Sequence, residues 1–371
     1  MDGVAVHRPP ARSRVFLAAA HVVADPTAPQ GPGVPAALDW DATLAFRHRL
    51  WSLGLGVADA MDTAQRGAGL DWAATRELIE RCGAEARSVN GLLACGAGTD
   101  QLDPAAQPDL ARIAAAYEEQ ISVVEDAGAR VVLMASRALA AAARGPEDYA
   151  AVYGRLLPQL ARPAILHWLG PAFDPQLAGY WGAADVDAAA ESLLAIIREH
   201  PGKVDGVKLS LLDAPREIAL RRALPAGVRL YTGDDFDYAE LIKGDEYGHS
   251  DALLGVFDPI AEQAAAALAA LDHDDAEGFD AALGPTLPLA RHLFAAPTRH
   301  YKTGVVFLAF LAGYQDHFTM VGGAQRERSA AHLAGLFELG RDAGIFPDPQ
   351  RARARMRTAL AGCALEGREV L

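Results

Sequence analysis

Short apolar runs alternate with longer amphipathic stretches along most of the chain. The runs are RVFLAAAHVV (14–23), GVADAMDT (56–63), SVNGLLACG (88–96), RVVLMAS (130–136), PAILHWL (163–169), VDGVKLSLL (204–212), VRLYTG (228–233) and DALLGVF (251–257). Rich in Val, Leu and Ala and with little polar alternation, they read as strands covered on both faces. The stretches between them carry apolar residues at helical spacing. Acidic residues stand at their starts (Asp39 or Asp41, Asp71) and glycines at their ends (Gly54, Gly83, Gly128), which suits the helix dipole and the usual cap chemistry. Eight strands alternating with helices predict an α/β fold, a (β/α)8 TIM barrel. The competitor is an open doubly wound sheet. It carries a Gly-rich phosphate turn after its first strand, whereas here ADPTAPQGPGVPAALD follows, with no G-x-G-x-x-G.

After about residue 275 the strand pattern stops, and only helical stretches follow, such as YKTGVVFLAFLAGYQ and PQRARARMRTALAGCAL. Residues 1–275 are therefore predicted to form the barrel, and 276–371 a C-terminal helical extension packed on it.

Composition narrows the function classes. Of 371 residues, 51% are hydrophobic, enough for a large core, and the net charge is −14. That charge disfavours nucleic acid and anionic membranes as partners. The three cysteines, Cys82, Cys95 and Cys363, are far apart and form no C-x-x-C pattern, as expected of a reduced, cytoplasmic protein without a disulfide framework. MDGVAVHRPPARSR lacks the apolar core of a secretion signal, and VFLAAAHVVA is too short to span a bilayer.

The chain has 34 basic residues, of which only four are lysines, and yet Lys208 stands inside VDGVKLSLL. A buried ammonium must find a partner, reach water or lose its proton. In a barrel of this type catalytic groups sit at the C-terminal ends of the strands. Those ends present His21, Asp62 and Thr63, Ser136 and Arg137, His167 and Trp168, Lys208 and Ser210, Asp234 and Asp235, and Asp258. Lys208 is open to two readings. It could pair with a carboxylate such as Asp234 or Asp62, or its amine, kept partly neutral by a dry interior, could attack a carbonyl to form a Schiff base. His21 reads equally as a core histidine or a site residue. Asp234 or Asp235 reads as a helix cap, which does not preclude substrate contact. HYKTG (300–304) reads as a helix start, and HSD (249–251) as a turn.

Three segments in order, VDGVKLS, VRLYTGDD and GHSDALLGVFDPIAEQ, resemble the dihydrodipicolinate synthase / N-acetylneuraminate lyase superfamily. That superfamily has a G-[IV]-K sixth strand, an S-G-D-D seventh strand, and an eighth strand running into N-x-x-P and a helix. The resemblance spans about residues 14–350. It is that of a remote member, close to a bacterial group described as a domain of unknown function. It implies that Lys208 is the Schiff-base lysine of a class I aldolase-type lyase, that no cofactor is needed, and that the chain forms a homodimer or homotetramer. The departures are informative. MDTAQ (61–65) stands where the family has G-T-T-G-E, so Asp62 replaces a threonine beside Thr63 and would repel the carboxylate of pyruvate. LHWLGP (166–171) puts His167 or Trp168 at the family's relay tyrosine, and histidine can move protons near neutral pH. Ser136 and Arg137 replace an aromatic residue.

The leading expectation is a lyase or aldolase making or breaking a C–C bond next to the ketone of a small keto acid or keto-sugar-derived substrate. Lys208 is its nucleophile and His167 its proton relay. Asp62, Thr63, Ser136, Trp168, Ser210, Asp234, Asp235 and His21 would line the substrate, and Arg137 would hold a carboxylate or phosphate. One alternative is a metal-dependent sugar isomerase, epimerase or aldolase, with a divalent cation on His21, Asp62, His167 and Asp234. No local ligand spacing supports it. The other is a barrel that binds a small molecule without turnover.

Overall fold

A computed structural model describes residues 12–31 and 33–365, apart from the side chains of Pro104 and of 362–365. The opening segment read above for a secretion signal lies mostly outside the described residues, as does the side chain of Cys363.

Eight strands close into a parallel barrel in chain order. They are β1 (Phe16–Ala19), β2 (Gly56–Asp59), β3 (Leu93–Ala97), β4 (Arg130–Leu133), β5 (Ala164–Leu169), β6 (Val204–Ser210), β7 (Arg229–Thr232) and β8 (Asp251–Leu254). The helices between them are α1 (Trp40–Ser52), α2 (Trp72–Val89), α3 (Leu110–Asp126), α4 (Arg137–Ala142), α5 (Pro146–Leu156), α6 (Val186–Glu199), α7 (Ala214–Ala223) and α8 (Tyr238–Lys243). Then come α9 (Ala261–Asp272), α10 (Ala276–Leu283), α11 (Leu287–Leu293), α12 (Tyr301–Ala312), α13 (Ala330–Asp342) and α14 (Pro349–Leu365). Apart from Arg130, Asp205 and Arg229 at or near strand starts, the strand residues are buried, which is why they read as nearly unbroken apolar runs.

The expected caps are in place. The Asp39 carboxylate accepts from the Ala42 N–H at the start of α1, and Asp71 accepts from Ala74 at the start of α2. The boundaries differ in physical detail. Most strands end two to four residues before their apolar runs do, because the chain leaving the barrel stays buried: Ala20, Val22, Val23, Val256 and Phe257 are core residues beyond strand ends. Gly83 does not stop α2. It lies inside the helix, where a Cβ would come within 2.5 Å of the Ala127 carbonyl oxygen. The helix therefore continues through Ser88 and Val89, which the sequence pattern assigns to a strand, and stops at Asn90 in a left-handed conformation.

The chain divides into two compact units. One joins the segment ending at Leu70 to the segment starting at Leu254; the other is Asp71–Leu253. In the first, the Arg47 guanidinium of α1 grips both oxygens of Asp59 at the end of β2, at 3.0 and 2.9 Å, and also donates to the His21 carbonyl. In the second, aromatic rings fill the space around β5: Trp181 packs on Tyr149, Tyr153, Tyr180 and Trp168. No helix among the described residues is long and apolar enough to cross a membrane. Cys82 and Cys95 are buried, reduced thiols.

Candidate functional site

Alternation along β6 decides where Lys208 points. Leu209 lines a groove with Val186, Ala190 and Leu194 of α6 and Ala219 and Leu220 of α7, so its face of the sheet meets the helices. Successive strand residues face opposite ways, which puts Gly206, Lys208 and Ser210 on the inner face. On β5, Trp168 lines the same groove, so its neighbour His167 faces inward. The parallel register sets His167 beside Lys208 and Trp168 beside Leu209. The choice between His167 and Trp168 thus goes to His167. Trp168 faces the helices and packs on Trp181, which corrects the expectation that it contacts substrate.

Both Lys208 and His167 are buried. His167 Nε2 lies 3.4 Å from Ser210 Oγ, and its Nδ1 has no partner among the described residues. Burial, and then the charge of Lys208, hold the imidazole well below its ordinary pKa, so it is neutral near pH 7. Above these residues, Gly233 closes in. A Cβ there would fall 2.2 Å from Ser210 Oγ and 3.1 Å from Lys208 Cε, so only glycine fits the turn after β7. Below, the Tyr231 ring fills the space a side chain on Gly206 would need. Its hydroxyl donates to Asp205 at 2.6 Å, and Arg130 pairs with the same carboxylate at 2.9 Å. The N-terminal end of this inner face is thereby filled, and the chemistry is left to the C-terminal end.

The other expected residues take various places. The Ser136 hydroxyl caps α4 through the Leu139 N–H and bonds Thr99 at 2.6 Å; it is occupied structurally. Arg137 donates through Nε to Asp174 at 2.5 Å, with its side chain partly exposed. Asp234 forms a local turn, accepting from the Phe236 and Asp237 N–H groups at 2.9 and 3.1 Å, but α8 starts after Asp237, so neither Asp234 nor Asp235 is its expected cap; Asp234 Oδ2 is buried without a partner among the described residues. Asp235 is buried in the same turn.

In the other unit, His21 is wholly enclosed. Its Nδ1 lies 2.8 Å from Asp258 Oδ2 and its Nε2 3.0 Å from Gln315 Oε1. The Gln315 amide donates to the His317 carbonyl at 2.7 Å, which turns its oxygen toward His21. Both ring nitrogens are engaged, so His21 is a satisfied core histidine, in place of the expected substrate contact. Thr63 follows β2 in a short turn opened by the half-buried Asp62, and its hydroxyl meets the Tyr301 hydroxyl at 2.8 Å. Tyr301 opens α12, the helix start read from HYKTG, and Lys302 Nζ donates to the Arg299 carbonyl. Among the described residues no three His, Cys, Asp or Glu side chains gather as a metal site.

Sequence reasoning missed Tyr301, Gln315 and Glu217. The first two meet their partners across 238 and 294 residues, which no local pattern records.

Residues 2–365 match the model of a family described as "Protein of unknown function (DUF993)". No curated protein matches the chain. Solved structures of dihydrodipicolinate synthases do. The chloride-inhibited enzyme from Acinetobacter baumannii, complexed with pyruvate, is 16% identical with a TM-score of 0.67, over 90% of this chain and 100% of that one. The Thermotoga maritima synthase is 13% identical with a TM-score of 0.67, over the same shares. That of Bacteroides thetaiotaomicron is 15% identical with a TM-score of 0.64, over 95% of this chain and 100% of that one. At such identities the likeness is one of fold.

Proposed function

The chain belongs to the DUF993 family, and from its dihydrodipicolinate synthase fold and the residues that fold presents we propose that it is a Schiff-base lyase or aldolase acting on a small keto acid or keto-sugar-derived compound. The observation that carries the reading is Lys208 on the inner face of β6, buried beside a histidine held neutral. The unprotonated amine attacks the ketone carbon, and the resulting carbinolamine loses water to give a protonated imine. That imine draws electrons from the bond between its α and β carbons, which breaks as the β-hydroxyl loses its proton, leaving an enamine on Lys208 and a carbonyl fragment; protonation of the enamine carbon and hydrolysis of the imine free the amine, and synthesis runs the same steps backward. Protons must reach the departing hydroxyl and leave the hydroxyl of the fragment. His167, neutral and with Nδ1 unbonded, suits that traffic. Ser210 Oγ stands beside the ring at 3.4 Å, and Arg137 is the candidate for an acidic substrate group. The reaction needs no organic cofactor or metal.

Pyruvate, the compound in the Acinetobacter baumannii complex, serves as the reference in a panel of keto acids and keto sugars. Borohydride added with the true substrate should fix its mass onto Lys208, with polyhydroxylated keto acids trapped in preference to pyruvate. His167→Asn should slow trapping by about 10²–10⁴-fold. A Lys208→Ala variant that still turns over substrate would end the proposal.

A further inference from the structure

We propose that Glu217 is a positioning residue for Lys208, acting through the turn that follows β7; this rests on the reading of Lys208 given above. Glu217 lies in the first turn of α7, on the helix side of the sheet, and is 1% exposed. Its two carboxyl oxygens meet hydroxyls: Thr232 Oγ1 of β7 at 3.0 Å and Ser250 Oγ, just before β8, at 2.8 Å. The Thr232 hydroxyl also accepts the Asp234 N–H at 3.2 Å, and the Gly233 N–H donates to the Leu209 carbonyl at 2.8 Å. Gly233 is the residue where any side chain would run into Ser210 Oγ and Lys208 Cε. A hydrogen-bonded path therefore runs from Glu217 through Thr232 to the backbone wall beside the lysine stem.

The path depends on the charge of Glu217. Burial pushes its carboxyl up to about 8, and nearby Asp234 adds to the rise. The hydroxyls of Ser250 and Thr232, and Arg221 one turn along α7, pull the other way. The Thr232 and Ser250 hydroxyls donate to the ionised carboxylate; protonation puts a hydrogen on one of its oxygens, so the contact there must reverse or break. The side chain holds β7, the segment before β8 and the turn between β7 and α8 in one arrangement, and does not touch the substrate.

The test measures Lys208 without a substrate. Acetic anhydride labelling of the amine, read by peptide mass spectrometry from about pH 6 to about pH 10, is run on the intact wild type, Glu217→Gln and Glu217→Ala. Lys243 is the internal control. Wild-type Lys208 should show a second inflection near the Glu217 value of about 8, and Glu217→Gln should lack it. Glu217→Ala should change the labelling rate by about three- to thirtyfold, with Lys243 unmoved and the Gln variant restoring the rate near pH 7. If the alanine variant does not fold, the inflection alone decides. Identical Lys208 profiles in wild type and Glu217→Gln would overturn the inference. Should the profiles differ while no carbonyl compound is ever trapped, the Schiff-base reading fails and the positioning role stands.

Discussion

Two histidines stand at strand ends of this barrel, His21 just past β1 and His167 in β5, and neither is exposed to solvent. Their surroundings are opposites. The backbone N–H of His21 and its Nδ1 both meet Asp258 Oδ2 at 2.8 Å, and its Nε2 meets Gln315. His167 has, among the described residues, a single long ring contact to Ser210, an unbonded Nδ1 and a lysine as its neighbour. A buried polar group with every bond made stabilises one arrangement. One left short of partners beside a basic neighbour costs stability, and such costs gather where chemistry is done. Residue type and burial are the same; the bonds left over set the two apart, and the proposed function gives proton transfer to the one that has them.

The largest break in the comparison comes from removing what His21 has. Asp258→Ala would leave the His21 ring and its backbone N–H without their shared acceptor, in a site closed to water. Breaking a buried pair in this way costs about 3–5 kcal/mol. Urea unfolding should show the midpoint fall with an unchanged slope. A loss below about 1 kcal/mol would mean that water reaches the site and that the two histidines are less different than their geometry says.

Acid acts next on His167 and on a third histidine, His332. His167 is held below the ordinary histidine value by burial and by Lys208, and His332, stacked on His292, is lowered to about 4, chiefly by burial. For both, the unfolded chain binds the proton more readily than the folded one. Stability is then full above the unfolded value near 6.5 and falls as pH drops below it, toward about 4 for His332. Glu217 has the opposite sign. Its raised value makes the folded state the better proton binder between 4.5 and about 8, so its contribution shrinks as pH rises through that window. The melting temperature should therefore fall on acidification below about pH 6.5, with a shallower fall in His167→Asn and in His332→Gln. An equally steep fall in both variants would show that neither histidine is responsible.

How much of this was legible depends on distance along the chain. The strands were readable because each is covered on both faces and so is continuously apolar, and α14 was readable to the residue. Lys208 stood out because it breaks such a run. The same continuity hid the faces: all of Ala164–Leu169 is buried, so His167 and Trp168 could not be told apart until the register with β6 was known. Glycines misled where they serve packing, as Gly83 does inside α2. Ser250, read as part of a turn, is a buried partner of Glu217, itself one charged residue among several in DAPREIALRRA. Polar networks are built from residues that meet only once the sheet has closed, and no periodicity announces them.

The smallest effects give the sharpest contrast, because they test one partner of each histidine. Gln315→Ala removes the acceptor of His21 Nε2 and leaves a buried donor unmatched, which costs about 1–3 kcal/mol. Ser210→Ala removes the ring contact of His167, but at 3.4 Å that contact lies beyond the usual range of a good hydrogen bond, about 2.7–3.2 Å. Its loss should change stability by less than about 0.5 kcal/mol. Unfolding midpoints of the two variants, compared in one buffer, should therefore separate clearly. If Ser210→Ala were as costly as Gln315→Ala, His167 would be as firmly tied as His21, and its claim to carry protons would lose its physical basis.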